Sequence, residues 1–282
     1  MKLFKIRNQN EYSDHVVKSR EYLAMIQRTE NSMIPNNGRK RFTVKGYSYT
    51  AGCEVDFKVG FEHAHADGSV NWREHLNCPK TGFNNRMRAA IHLFDSEAAA
   101  HQSDRIYISE QITPMYRYFA TKYDVVVGSE YLGDRCPLGA LDDRGIRNES
   151  LTNLTFPGNS FERVISLDCL EHFPDYVLAF RECARILSPG GKMLWSVPFV
   201  PSFSENLIRA RINTQGEVEH LQEPEYHGDP LTTAGCLCFT HFGWEMLDQV
   251  RAAGFSDAYA VMFWSAAFGY LGGEQVIFVA HK

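Results

Sequence analysis

Apolar positions in the first part of the chain change period. Between residues 11 and 30 they fall at Tyr12, Val16, Leu23 and Ile26, near the 3.6-residue repeat that lines one face of a helix. Asn36-Asn37-Gly38 breaks this pattern. From Phe42 the repeat shortens to two: Cys53, Val55, Phe57 and Val59 face one way, and Glu54, Asp56 and Lys58 the other. That alternation predicts a β-hairpin over 41–60. A polar segment follows, with His63, His65, His75 and, further on, His92.

After residue 104 short apolar runs alternate with helical patterns. Strands are predicted at Arg105–Ile108, Val125–Gly128, Arg163–Leu167 and Met193–Val197, with helices at Pro114–Lys122 and Tyr176–Leu187. Ser188-Pro-Gly-Gly191 closes the second helix. This order indicates βαβ units, a parallel sheet and helices on both of its faces. A last helix at Trp244–Ala253, stopped by Gly254, precedes strand-like runs at Ala258–Trp264 and Gln275–Ala280. The change of texture divides the chain into a smaller α+β segment, 1–100, and an α/β domain, 101–282.

Composition narrows the classes. The chain has 282 residues, 44% hydrophobic and 22% charged, as ordinary globular proteins do. No long apolar run or charged-then-apolar leader opens it, so a cytoplasmic protein without membrane insertion is expected. A net charge of -5 gives no electrostatic reason to expect nucleic acid as partner. The seven cysteines are odd in number and scattered, which suits free thiols better than a disulfide framework.

In a doubly wound sheet, ligands bind beyond the carboxyl ends of the strands, and an acidic residue after the second strand can take ribose hydroxyls. Glu130, directly after Val125-Val-Val-Gly-Ser129, occupies such a position. The segment Leu154-Thr-Phe-Pro-Gly-Asn-Ser-Phe-Glu-Arg-Val-Ile-Ser-Leu-Asp-Cys-Leu-Glu-His-Phe-Pro-Asp175, followed by Ala179-Phe-Arg-Glu-Cys-Ala-Arg-Ile-Leu-Ser-Pro-Gly-Gly191, closely resembles the fourth-strand region of class I methyltransferases of the methyltransferase-11 type. Ser109-Glu-Gln111, Gly128-Ser-Glu-Tyr131 and Glu225-Tyr-His-Gly-Asp-Pro230 resemble further motifs of one subgroup.

The resemblance covers about residues 100–282. It implies a Rossmann-like class I methyltransferase sheet with an antiparallel C-terminal strand, S-adenosylmethionine as cofactor, and a substrate-loop insertion at about 200–240. Glu130 would then bind the cofactor ribose, Tyr131 would lie against adenine, Ser150 and Leu151 would cap the adenine, and Asp168 with Cys169 would line the methionine end. Ser150 stands where the subgroup has Asp. The family's Gly-x-Gly after the first strand is replaced by Ser109-Glu-Gln-Ile-Thr113. Side chains must then do what close backbone approach does elsewhere; Ser109, Glu110 and Gln111 are the cofactor-binding candidates, with Glu110 facing the ammonium.

Methyl transfer from a sulfonium needs alignment, and a base when the acceptor is a hydroxyl. His227 and Asp229, two apart beside Gly228, are expected to pair in one cavity, with His172 at the cofactor mouth as a further candidate. Arg209, His220 and Tyr226 are the substrate-binding candidates, with Arg211 nearby. The aromatic run Phe239, Phe242, Trp244, Phe263, Trp264, Phe268 and Tyr270 either walls a pocket or is core. Trp72-Arg-Glu74 and Asn84-Asn-Arg-Met-Arg88 cap the site or contact acceptor or cofactor. Cys53 and Cys78 supply only two thiols, which even beside His63, His65 or His75 do not compel a zinc site, and no metal is expected. The expected function is O-methylation of a small-molecule or glycan acceptor in a biosynthetic pathway. The alternative is a non-catalytic, cofactor-free Rossmann-like module serving a biosynthetic assembly. A dehydrogenase is disfavoured, because no Gly-x-Gly-x-x-Gly opens the first helix.

Overall fold

The computed structural model describes residues 1–36, 40–229, 231 and 233–282. In chain order the elements are β1 (Lys2–Ile6), α1 (Gln9–Lys18), α2 (Arg20–Met33), β2 (Phe42–Ser48), β3 (Cys53–Val59), α3 (Asn85–Leu93), β4 (Arg105–Ile108), α4 (Pro114–Lys122) and β5 (Val125–Gly128). They continue with β6 (Phe161–Leu167), α5 (Tyr176–Ile186), β7 (Leu187–Ser196), β8 (Leu207–Ile208), β9 (Ala210–Ile212), β10 (Val218–His220) and β11 (Tyr226–His227). The last are β12 (Cys236–Leu237), β13 (Thr240–His241), α6 (Glu245–Ala252), β14 (Asp257–Ser265) and β15 (Tyr270–His281). Asn37 and Gly38 of the helix-breaking triplet, and Pro230 of the Glu225–Pro230 motif, lie outside the described residues.

The strands are ordered β1-β14-β15-β7-β6-β4-β5. β5, β4, β6 and β7 are parallel, and β15 joins antiparallel to β7. This is the Rossmann-like sheet with an antiparallel C-terminal strand. The central strand β6 is buried along nearly its whole length, as an inner strand of a parallel sheet covered on both faces is.

The residues form two compact units, one of Met1–Ile6, Asn10–Ala99 and Ala260–Ile277, the other of Arg7–Gln9, Ala100–Tyr259 and Phe278–Lys282. In the first, β1 pairs antiparallel with β14, and β2 pairs with β3 in the expected hairpin. The predicted long N-terminal helix is two helices, α1 and α2, that meet at Ser19. Of the Asn84–Arg88 stretch, Asn85 and Arg88 are buried. Asn85 donates to the Trp72 and Leu271 carbonyls, and Arg88 to those of Leu76, Phe268 and Gly269. Burial lowers the Arg88 pKa to about 10.

In the second unit, caps set the helix starts. The Thr113 hydroxyl accepts from the Tyr116 N–H with Pro114 in the first turn, and the Asp175 carboxylate accepts from the Leu178 N–H, each contributing about 1 kcal/mol. α5 buries Ala179, Phe180, Cys183 and Ile186, and Phe180 meets Trp195 edge-on at 5.6 Å between ring centres. Full burial of such a ring contributes about 2–3 kcal/mol. The Ser188–Gly191 stop is part of β7, because a bulge with Gly190 at φ 77° carries the strand through. Gly191 has no room for a side chain: a Cβ there would lie 2.8 Å from the Ser188 carbonyl oxygen. Phe242, Trp244, Phe263, Trp264 and Tyr270 are buried, so these members of the aromatic run serve as core.

Candidate active site

The candidate cofactor-binding and catalytic groups lie in the second unit, at or beyond the carboxyl ends of its parallel strands. β5 ends in Gly128, where a Cβ would approach the Glu110 carbonyl and the Tyr116 ring to 2.6 Å. Glycine therefore lets the loop after β4 close down on β5. Two residues on, the Glu130 side chain reaches that loop, and its Oε1 accepts from the backbone N–H of Gln111 (2.7 Å) and of Ile112 (2.9 Å). Desolvation raises the Glu130 pKa against those two bonds, with Asp229 adding a same-sign charge. A carboxylate with one oxygen fixed by two backbone donors is oriented in advance to present the other.

The loop replacing the glycine motif is held by its own side chains. Gln111 receives the Arg147 N–H at 2.8 Å and donates to the Gly145 carbonyl at 3.0 Å, so its amide braces the facing loop. Ser109 donates to Ser166 at 3.1 Å, across from β4 to β6. Glu110 is half-buried, and its charge reaches the Cys169 thiol. Asp168 follows β6 in the left-handed region at φ 45°, and its carboxylate accepts from the Ser196 hydroxyl at 2.8 Å. Dense surroundings push the neighbouring Cys169 thiol up to about 12, where it is neutral and no nucleophile.

Beside Glu130, a cleft of about 480 Å³ is lined by Tyr131, Leu138, Asn148, Ser150 and Asn153 among others. Tyr131 is mostly exposed, Leu151 is buried behind the cleft, and the Ser150 hydroxyl bonds that of Thr152 at 2.9 Å.

The second cluster forms where the turn after β6 meets the 200–240 segment. Glu171 and His172 lie on a single 3-10 turn, Leu170–His172, and the Phe239 N–H donates to the Glu171 carbonyl at 2.7 Å. The Glu171 side chain has no exposed surface. Facing Oε1 are His227 Nδ1 at 3.3 Å and His172 Nε2 at 3.7 Å. His227 Nε2 bonds Glu225 at 3.0 Å, and Glu225 also takes His241 at 3.1 Å and Arg209 at 3.2 Å. Hydrogen bonding to Cys238, then to Glu171 and Glu225, pushes His227 up to about 11.

The expected His227–Asp229 pair is corrected by this geometry. His227 is flanked by Glu171 and Glu225, while Asp229 accepts from the Leu231 N–H at 2.8 Å and interacts with Cys236. Of the substrate-binding candidates, Arg209 is tied to Glu225 and the Glu223 carbonyl, and His220 and Tyr226 are exposed on β10 and β11. Sequence reasoning missed Glu171, Glu225, Cys238 and His241 as partners.

Residues 117–195 match the family model described as a methyltransferase domain. Among solved structures, the chain is similar to an S-adenosylmethionine-dependent methyltransferase from Mesorhizobium loti, with 18% identity, 66% of this chain and 95% of that one covered, and a TM-score of 0.42. It is also similar to the 1,6-didemethyltoxoflavin-N1-methyltransferase of Burkholderia thailandensis, whose structure holds 1,6-didemethyltoxoflavin and S-adenosylhomocysteine. That match has 14% identity, 70% and 77% coverage, and a TM-score of 0.41. No curated protein matches the chain. Among the described residues, no helix is long and apolar enough to cross a membrane.

Proposed function

We propose that this chain, whose sheet and whose match over residues 117–195 support a class I methyltransferase, transfers a methyl group from S-adenosylmethionine to a hydroxyl oxygen of a small-molecule or glycan acceptor in a biosynthetic pathway. The observation that carries the reading is Glu130, held by two backbone N–H groups at the end of β5 beside the cleft. When bound, S-adenosylmethionine supplies an already activated methyl group on a sulfonium. The residues present suit it: Glu130 offers its second oxygen to the ribose, Tyr131 and Ser150 border the adenine side, and Glu110 and Asp168 stand at the methionine side.

The protein then has to align the acceptor and receive a proton. His172 is placed for this. Its Nδ1–H donates to the Leu237 carbonyl at 2.8 Å, and because a carbonyl can only accept, that bond leaves the Nε2 lone pair of the neutral imidazole facing the cluster. Arg209, held at Glu225, gives a polyhydroxyl acceptor a fixed cationic neighbour. The test is transfer of isotopically labelled methyl from S-adenosylmethionine to a panel of hydroxylated acceptors. A base-stable labelled ether is the expected product. Label appearing only on nitrogen acceptors would overturn the oxygen assignment.

A further inference from the structure

Glu171 presents a chemical problem. A carboxylate with no exposed surface costs several kcal/mol of lost solvation unless a cation meets it. What faces it is the kind of group that binds metals. His172 Nδ1 is occupied by its bond to the Leu237 carbonyl, so Nε2 is the nitrogen that faces Glu171 Oε1, at 3.7 Å.

We propose that Glu171, His172 and His227 form a binding site for one divalent transition-metal ion of the zinc class, with His172 Nε2, His227 Nδ1 and a Glu171 oxygen as ligands. Three lines of geometry converge on it. The three ligand atoms lie within 4.8 Å of one another. Ligands bound at about 2.1 Å in a tetrahedron are roughly 3.4 Å apart, and the 3.3 Å and 3.7 Å separations at Glu171 Oε1 bracket that value. The outer partners are also in place: His172 donates its other N–H to a backbone carbonyl, and His227 directs its other nitrogen to the Glu225 carboxylate at 3.0 Å. These are the two arrangements that orient metal-bound histidines. Glu225 is held in turn by His241 and Arg209.

Two histidines and one carboxylate leave a coordination position open, as catalytic sites do and structural ones do not. Resting on the methyltransferase reading, this position suits the acceptor hydroxyl: with His172 Nε2 committed to the ion and no longer free to take a proton, the bound cation itself makes the oxygen easier to deprotonate. The site itself stands on the cluster alone.

The experiment uses the full chain, stripped with a chelator and titrated calorimetrically with zinc chloride. Cobalt(II) spectra and S-adenosylhomocysteine binding are recorded in parallel. One zinc ion per chain is expected, bound at least tenfold more weakly by Glu171→Gln and His227→Ala, with a cobalt spectrum free of thiolate charge transfer. Should either variant fold poorly by circular dichroism, Glu225→Gln, which leaves all three ligands in place, is expected to weaken zinc by about tenfold or more. Absence of stoichiometric binding, affinity unchanged in the variants, or a thiolate band pointing to Cys238 would overturn the proposal. Zinc binding without S-adenosylhomocysteine binding would sink the methyltransferase reading and leave the metal site standing. The reverse result would sink the metal site alone.

Discussion

Glu30 and Glu171 are both buried glutamates, and their surroundings treat them in opposite ways. Glu30, in the first unit, accepts from the Trp264 indole at 2.7 Å and from the Gly272 and Gly273 N–H groups at 2.8 Å and 3.0 Å. Its donors are an indole and two backbone amides, none of which can titrate or leave, so it clasps α2 to the start of β15. Glu171, in the second unit, faces two imidazole nitrogens, at 3.3 Å and 3.7 Å. Burial of a carboxylate therefore does not by itself mark a functional group. Fixed backbone donors make a structural clasp, whereas ionisable nitrogens with ligand character leave room for exchange.

The largest effect expected from this contrast is on stability. Glu30→Leu strands three donors and is expected to cost about 3 kcal/mol, read as the denaturant midpoint, while Glu171→Gln shifts stability by less than about 1 kcal/mol. Equal losses would erase the distinction. Next in size is turnover: His172→Gln is expected to lower kcat about a hundredfold with S-adenosylhomocysteine affinity intact. A parallel fall in both would make the histidine a packing residue. Smaller again, Glu130→Ala should weaken S-adenosylhomocysteine about tenfold, the size of one charge-assisted hydrogen bond, and an unchanged affinity would remove Glu130 from the ribose site.

The smallest effect concerns a clasp outside both regions. Arg105 hydrogen-bonds Glu162 and holds its carboxyl down to about 2. A depressed acid contributes stability above its unfolded pKa, about 4.5, and loses that contribution as pH falls through about 2. Arg105→Ala should flatten the wild-type loss over that window, by under about 1 kcal/mol because the pair is near the surface. Unchanged pH dependence would refute it.

The fold was legible where one physical signal dominated. β4, β5, α4 and α5 were readable because apolar runs and capping residues such as Thr113 and Asp175 agreed. β7 was cut short because Pro189-Gly-Gly191 carries the signature of a stop, and only pairing with β6 and β15 shows that a bulge absorbs it. β1 was missed, since Lys2–Ile6 is a short, half-exposed strand whose partner, β14, lies more than 250 residues away. At the site, Glu130 was legible because its position after β5 fixes its direction. The Glu171 cluster was not: it is assembled from the turn after β6 and from β11, β12 and β13, whose pairing no local pattern reveals. Asp229 was paired with His227 on its spacing, which Glu225 shares on the other side, and it is Glu225 that His227 bonds.

The central claim, that the carboxyl ends of these strands hold S-adenosylmethionine with Glu130 at its ribose and Ser109–Gln111 in place of a glycine loop, is tested most directly by calorimetry of the intact chain with S-adenosylmethionine and S-adenosylhomocysteine. One molecule of either is expected to bind per chain, with a matching rise in unfolding temperature. Neither heat nor thermal shift at millimolar concentration would contradict the claim.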